Sequence, residues 1–573
     1  MDWSGAWLTS RARPIHHEKC VLRRRRTWYN GRMKTNVLLV CLSACAFAHA
    51  EFTCALTDPL EWIYPDSEVA EAAPFAETDV PLGGVADVNV LFNGLEPGKP
   101  VSVSADAPDA EWFRFVEVFV DRNTGLHGFT AKPAETNTWS VRKAPYWAYE
   151  ALAPIAGGAF TPTGATAAVR FKLKKFPAKR GALAVNFVFA QGAQSVRRAF
   201  KVNVHGARVP DVGRGSFKYT NWFNLTDMAT RHGLELWSDA HFEMIGRYAK
   251  LAAEGRQNCA WIPLSNVFDV KNGTPVLNEA RLARIVDVYT AAGIWWIEGG
   301  HLCRFNGGWG AKNFLPLFSK NVSTTPAGAA DVARIAVPLV AAVEKHGWKD
   351  RWIQHVADEP DVVNAAEYRQ TCAIARRYMP GVKMMDAVEN CAVAGALDML
   401  CPKVDMWQKD RAAFDFQRTN CHDSVWCYTC CVPGGRWLNR TLDCHLLKPL
   451  YVFWCCSEFG LDGFLHWGYN MYQKNYDPFN NTTVDNWGTN GGSALPPGDT
   501  HVVYPGAVGP WSGARFEATR QGVEDYELLE QLRRRDAAKF GELSRRVVRS
   551  FNDYELDVKL YRATRREILK ALE

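Results

Sequence analysis

Apolar and polar positions change rhythm twice along the chain. From Glu51 to about Val209, short β-rich runs alternate with turns: Val88–Phe92, Val101–Ala105, Phe113–Val120, Ala167–Leu173, Ala182–Ala190 and Arg198–Val204. Breakers such as Gly94, Pro97-Gly98, Asn123-Thr124-Gly125 and Gly192 separate them, which predicts a β-sandwich. Pro210 to Gly215 reads as a linker. From Lys218 onward, strand-like runs alternate with stretches whose apolar residues recur every three or four positions. The predicted strands are Lys218–Phe223, Cys259–Leu264, Ile294–Glu298, Trp352–Ala357, Lys383–Ala387, Val404–Trp407, Val425–Thr429 and Gly463–Trp467. Helices are predicted between most of them, including Asp239–Ala253, Glu279–Ala292, Ala327–Lys345 and Asp361–Tyr378. This count and length predict a (β/α)8 TIM barrel over roughly 250 residues.

The last part of the chain has a third pattern. Asn480 to Gly498 is rich in Gly and Asn and reads as a loop, and His501–Tyr504 as a short strand. Arg520 to Glu573 reads as helices with an apolar stripe (Leu528, Leu529, Leu532) that packs on the barrel, leaving its Arg clusters solvated. The expected organisation is multidomain α/β. It runs as a leader and signal peptide (1–50), a β-sandwich (51–209), a catalytic barrel (216–479), and a loop, short strand and C-terminal helices (480–573). A chain of 573 residues exceeds one core, in keeping with this division.

Residues 352–360 organise the rest. The strand predicted for Trp352–Ala357 runs into two adjacent carboxylates, Asp358 and Glu359, and Pro360 closes it. In a barrel of this kind, strand C-terminal ends carry the site. Neighbouring side chains on a regular strand point to opposite faces, so the two acids share a pocket only if the backbone turns after the strand. Two close carboxylates do not ionise independently, which supplies a general acid beside an anion. The plain alternative is an Asp that caps the next helix beside a solvated Glu. Other strand ends add Glu298, His301, Asp386, Trp407, Tyr428, Trp467 and Asn470, a set rich in aromatic and hydrogen-bonding groups that suits a sugar.

Charge and composition narrow the partners. Residues 1–50 hold nine Lys/Arg and two Asp/Glu, a net +7; the whole chain is +6, so the remainder is about −1 and suggests no nucleic acid partner. Met33 to Ala50 has the form of a secretory signal: Lys34, an apolar run from Val37 to Phe47, and Ala48-His49-Ala50 as the cleavage site. Residues 1–32 read as upstream read-through or a long basic leader. Leu42-Ser43-Ala44-Cys45 also fits a lipoprotein signal with Cys45 lipidated, and cleavage after Ala50 is the favoured reading. The mature chain is therefore expected to be exported. No later run is read as crossing a bilayer.

Thirteen cysteines follow Ala50, an odd number, and seven fall between Cys421 and Cys456. Cys427-x-x-Cys430 with Cys444 and His445 resembles a zinc set, but the first two sit on a predicted strand and Cys444 opens a helix. Buried thiols or one or two disulfides are expected instead, with no metal and no cofactor.

Several motifs together resemble glycoside hydrolase family 123 and its relatives, from the β-rich part to near the C-terminus. They are Trp237-Ser238-Asp239, Gln257-Asn258, His355 to Pro360, Trp426-x-Tyr428-Thr429-Cys430 with Asn439, and Asp462-Gly463-Phe464-Leu465-x-Trp467. Gly498-Asp499, Tyr504-Pro505-Gly506 and Arg520 to Glu527 complete the set. The resemblance implies an exo-acting retaining β-N-acetylgalactosaminidase in which the substrate's own 2-acetamido oxygen attacks the anomeric carbon. By the same resemblance Glu359 protonates the leaving oxygen and later activates water, and Asp358 orients the acetamido group. Glu298, His301, Trp407, Tyr428, Trp467 and Asn470 are the expected sugar contacts, from their strand-end positions. Two alternatives stand beside this reading. One is a glycosidase acting on a sugar without an acetamido group, with Glu298 or Asp386 as nucleophile. The other is a carbohydrate-binding envelope protein without activity. The sequence does not define the oligomeric state.

Overall fold

A computed structural model describes residues 51–132, 135–175, 180–485 and 494–573. The segments read as leader and signal peptide, and Cys45, lie outside these residues. Two sheets form the first part. The seven-stranded sheet runs in the order Thr53–Thr57, Ala86–Asn93, Ala167–Leu173, Ala110–Val120, Tyr146–Pro154, Pro510–Gly513, Tyr504–Pro505. The five-stranded sheet runs Glu77–Leu82, Gln194–Arg208, Gly181–Gln191, Val101–Ala105, Ala159–Phe160. Val88, Val90 and Phe92 of the first sheet share one buried cluster with Val185, Phe187, Phe200 and Val202 of the second. The period-two runs thus bury alternate side chains between two sheets.

The short strand expected at His501–Tyr504 starts three residues later, at Tyr504–Pro505. It pairs with Pro510–Trp511, and Ser512 pairs with Leu152. The C-terminal part of the chain therefore completes a sheet begun at Thr53, and Phe52–Glu573 is one compact unit.

Eight parallel strands build the second part. They are β1 (Lys218–Asn221), β2 (Cys259–Ile262), β3 (Trp296–Gly299), β4 (Trp352–Gln354), β5 (Lys383–Val388), β6 (Met399–Pro402), β7 (Ser424–Val425 and Cys427–Thr429) and β8 (Gly463–His466). From β2 to β7 each pairs in parallel with the next. β7 pairs with β8, and β8 with β1. The Asn258 N–H donates to the Tyr219 carbonyl at 3.2 Å, joining β1 to the start of β2. Side chains alternate across each strand. Ile353, Met385, Cys401 and Trp426 share one cluster with Trp222 and Trp261, while Trp352, Met384, Leu400 and Val425 pack in the larger cluster with the helices. Both faces are buried, which is why these strands read as continuous apolar runs.

Helices α1 (Asp239–Glu254), α2 (Glu279–Ala291), α3 (Pro326–Lys345) and α4 (Ala365–Tyr378) follow β1 to β4. Ser238 caps α1 and Thr325 caps α3, whose first residue is Pro326. By length and composition α3 meets the measure of a membrane-crossing helix, contrary to the expectation that no later run does. Within this fold its Val332, Ile335, Leu339 and Val343 lie in the core at 0% exposure.

Two other expectations need correction. The sixth strand is Met399–Pro402, and Val404–Lys409 is a helix, α5. Val404, Met406 and Trp407 mimic a strand run, but Pro402 ends the real one. The Arg clusters of the last segment are also not uniformly solvated. In helix α6 (Ala514–Arg535), Arg515 and Arg520 are buried; Arg515 Nε bonds Glu150 Oε1 at 2.8 Å, and Arg520 bonds Glu517 at 2.9 Å and Glu524 at 2.6 Å. Lys172 Nζ donates to Glu517 Oε1 at 2.7 Å, so the ion pairs tie α6 to the sheet. Removing one partner from such a buried pair leaves a bare charge and costs about 3–5 kcal/mol.

Candidate active site

The β4 ladder stops at Gln354, three residues earlier than the pattern suggested, and the chain then turns. Asp386 on β5 holds that turn. Its carboxylate accepts from Val356 N (3.0 Å), Ala357 N (2.9 Å) and the Tyr368 hydroxyl (2.5 Å). Glu359 then takes φ +41°, a left-handed conformation that costs a non-glycine residue about 1–2 kcal/mol. Departure from the regular strand removes the alternation that would send Asp358 and Glu359 to opposite faces. Both carboxyls are partly exposed at the strand-end rim.

Asp358 sits against a charged inner network. His355 Nδ1 lies 3.1 Å from Asp386 Oδ1, and its Nε2 lies 3.3 Å from Glu298 Oε2. Burial works against charge on His355, but the two carboxylates outweigh it and raise it to about 9, so it is an imidazolium at neutral pH. His301 Nε2 lies 3.8 Å from Asp358 Oδ1 and 3.6 Å from Asp386 Oδ1, with no hydrogen-bond partner. Burial and the His355 charge hold His301 well below the usual imidazole range, so it is neutral. Burial and the Glu359 charge push Asp358 up to about 8. At neutral pH Asp358 therefore favours its protonated form.

Glu359 has different neighbours. The Tyr428 hydroxyl donates to its Oε1, and Trp309 Nε1 donates to its Oε2 at 2.7 Å. Lys403 Nζ bonds Glu389 at 2.5 Å; burial opposes its charge, but Glu359 and Glu389 keep it firmly protonated. Outside Glu359 lies a cavity of about 460 Å³, bordered by Trp309, Val362 and Met406 and by polar groups including Asn390 and Lys409.

The other expected site residues divide. His301 and Tyr428 lie with the two acids, as described. Trp467 is half-buried in the cluster that holds Tyr428, with its Nε1 donating to Asp499 Oδ2 at 3.2 Å. Glu298 is wholly enclosed: Oε2 accepts from Trp222 Nε1 at 3.2 Å, and exposure is 0%. It supports His355 and does not face a sugar. Asp386 is likewise enclosed, so neither acid offered as an alternative nucleophile is free to attack. Asn470 is buried, and its amide exchanges two hydrogen bonds with the Asn224 backbone at 2.9 Å, clipping two loops together. Trp407, on α5, is buried and packs on Phe459 (4.9 Å between ring centres) and Phe551 (5.6 Å) in the core. These three are corrections: strand-end position alone does not say which way a side chain faces.

Trp309, Lys403 and the His355–Asp386 pair are site features the strand-end reading did not select. Trp309 had a local signal, a tryptophan set among glycines (Asn306 to Gly310). Lys403 had none.

Among the described residues, one group of potential metal ligands gathers: His301, His355 and Asp386, with ligand atoms within 4.8 Å of one another. Both ring nitrogens of His355 and both oxygens of Asp386 already have hydrogen-bond partners, which does not fit a cation site. All thirteen described cysteines are free thiols, Cys427 and Cys456 having their sulfurs 3.6 Å apart.

Paired acids at the ends of parallel strands, beside an open cavity, can perform glycoside cleavage. Residues 329–532 match the profile of the glycoside hydrolase 123 catalytic domain, which identifies the chain as a glycosidase. Its fold is similar to that of a family 123 glycoside hydrolase from Clostridium perfringens, at TM-score 0.65 and 10% identity over 91% of this chain and 97% of that one. That structure is described in terms of glycolipid glycan hydrolysis. Weaker likenesses join a Parabacteroides merdae β-glucuronidase (TM-score 0.30, 9% identity, 82% of this chain and 51% of that one) and a termite-gut xylanase of family 10 with a bacterial Ig-like domain (TM-score 0.32, 13% identity, 79% and 100%); they carry no argument. No curated protein matches the sequence.

Proposed function

We propose that this glycosidase is an exo-acting, retaining β-N-acetylgalactosaminidase that uses its substrate's acetamido group as nucleophile. The observation that carries this reading is the pair Asp358–Glu359 on one turn, with different partners around each acid. Glu359, held between Tyr428 and Trp309, protonates the glycosidic oxygen and then draws a proton from water. Asp358 accepts the acetamido N–H and, as an anion, stabilises the positive charge of the oxazolinium-type intermediate. That hydrogen bond favours ionised Asp358 and leaves Glu359 to carry the proton beside the leaving oxygen. The charged His355–Asp386 unit fixes the turn. His301 and Trp467 border the sugar.

The enclosure of Glu298 and Asp386 favours substrate assistance over attack by either acid. In this reading the eight-strand ring is a (β/α)8 TIM barrel and the two packed sheets a β-sandwich. The substrate is a glycan end, and the glycan of a glycolipid is one candidate by likeness to the Clostridium perfringens enzyme. Export follows from the signal-like segment Met33–Ala50; N-terminal sequencing of the secreted chain tests it, and a chain retained in the cytoplasm would exclude it.

Hydrolysis of 4-nitrophenyl β-N-acetylgalactosaminide by the wild type, Asp358→Asn and Glu359→Gln tests the activity. The wild type is expected to cleave it, to leave the β-galactoside intact, and to lose at least about a hundredfold in kcat with either substitution. Activity that survives both substitutions would place the site elsewhere.

A further inference from the structure

We propose that the cavity outside Glu359 is a subsite for the leaving group, that Trp309 is its platform, and that it takes an uncharged sugar and rejects an anionic one. The proposal rests on Glu359 being the acid that protonates the leaving oxygen. That acid stands between the two halves of the bond it cleaves. One side of Glu359 faces Asp358 and the enclosed His301–His355 network, which suits the sugar that carries the acetamido group. The other side opens on the cavity of about 460 Å³, within the usual range of ligand sites.

Trp309 is 57% exposed, although it is the largest kind of apolar side chain. It stands in the loop Asn306 to Gly310, where Gly307 (φ +118°) and Gly310 (φ +75°) take left-handed conformations that let the chain turn on both sides of it. Its Nε1 is fixed by Glu359 at 2.7 Å, and Phe305 supports the ring at 5.9 Å between centres. The indole is thus held at the acid with much of its surface in solvent, as a stacking platform for a sugar ring requires. Val362, 71% exposed, adds an apolar lip.

The charge of the cavity sets what can lie on that platform. Its wall carries four carboxyls, Glu359, Asp361, Glu389 and Asp410, against one ammonium, Lys409. The Lys403 ammonium bonded to Glu389 reduces the excess without reversing it. A carboxylate or sulfate on the leaving sugar meets like charge and loses solvation on entry, whereas hydroxyls find acceptors on the same acids.

Saturation-transfer NMR on the intact chain tests this with two probes that differ at one carbon, methyl β-D-galactopyranoside and methyl β-D-galactopyranosiduronate. The wild type is expected to bind the galactoside and to bind the uronate at least about tenfold more weakly. Trp309→Ala is expected to weaken the galactoside about tenfold, and Trp309→Phe to restore most of the binding. In Asp361→Asn/Asp410→Asn the gap between the probes should narrow. No binding of the galactoside, equal binding of both probes by the wild type, or a galactoside affinity indifferent to Trp309→Ala would each overturn the proposal. The wild-type comparison needs no variant, so a misfolded variant cannot decide the result. Discrimination without cleavage of the aryl N-acetylgalactosaminide would sink the activity proposed above and keep the uncharged-sugar site. Cleavage without discrimination would do the reverse.

Discussion

Replacing Asp358 by Asn should make the fold more stable at alkaline pH while it removes the activity. In the folded chain burial and the Glu359 charge raise this carboxyl from 3.8 to about 8. The unfolded chain ionises near the ordinary value. Between these limits the folded state holds a proton that the unfolded state has released, so stability falls as pH rises from about 4 to about 8. A rise of roughly four pH units sets a ceiling of about 5 kcal/mol on the loss. The side chain is still 15% exposed, and solvent screening should bring the effect to about 2 kcal/mol. An amide has the same shape and does not ionise, so Asp358→Asn escapes this loss. Urea unfolding followed by circular dichroism at pH 5 and pH 8.5 measures it. The variant is expected to gain about 2 kcal/mol over the wild type at pH 8.5 and much less at pH 5. A variant no more stable at pH 8.5, or a gap equal at both pH values, would refute this account of the pair.

Three further outcomes follow from neighbouring residues. Tyr428→Phe removes a hydroxyl donor from Glu359 and should lower kcat about tenfold or more with little change in KM; unchanged kcat would show that this contact does not position the acid. Trp407→Ala should cost about 3–5 kcal/mol in unfolding experiments because it opens a core cavity, while kcat per folded molecule holds; a raised KM with unchanged stability would return Trp407 to the site. His355 is raised to about 9, so its contribution is present below the ordinary imidazole range and is lost as pH rises through 9. Wild-type stability should therefore fall between about pH 6.5 and pH 9 and level off above that, and His355→Gln should lack that fall and be less stable at pH 7; identical profiles would contradict the charged network.

Much of this arrangement was legible in the sequence because burial on both faces forces continuous apolar runs, and seven of the eight strands follow that signal. The adjacent acids were legible for a related reason, since Pro360 marks where the strand must stop. Val404–Trp407 misled because four residues with two or three apolar side chains fit one helical turn as well as a strand. Glu298 and Asp386 show a deeper limit. Their types and positions suit chemistry, yet both are enclosed, Glu298 supporting His355 and Asp386 anchoring the β4 turn as well. Only the partners of a carboxylate distinguish a catalytic group from a supporting one, and those partners come from strands far apart in the chain. Trp309 was missed because a platform on a glycine loop has no periodic pattern. The pairing of Ser512 with Leu152 was missed because long-range sheet closure leaves no local trace.

The most direct test of the central claim is to vary the nucleophile inside the substrate. The 4-nitrophenyl β-galactosaminides bearing 2-acetamido, 2-fluoroacetamido and 2-trifluoroacetamido groups present a progressively poorer attacking oxygen on the same sugar. If that oxygen forms the bond to the anomeric carbon, kcat/KM should fall steeply along the series, by about a hundredfold or more in total. A flat series with undiminished cleavage of the trifluoroacetamide would contradict substrate assistance and require a nucleophile from the protein.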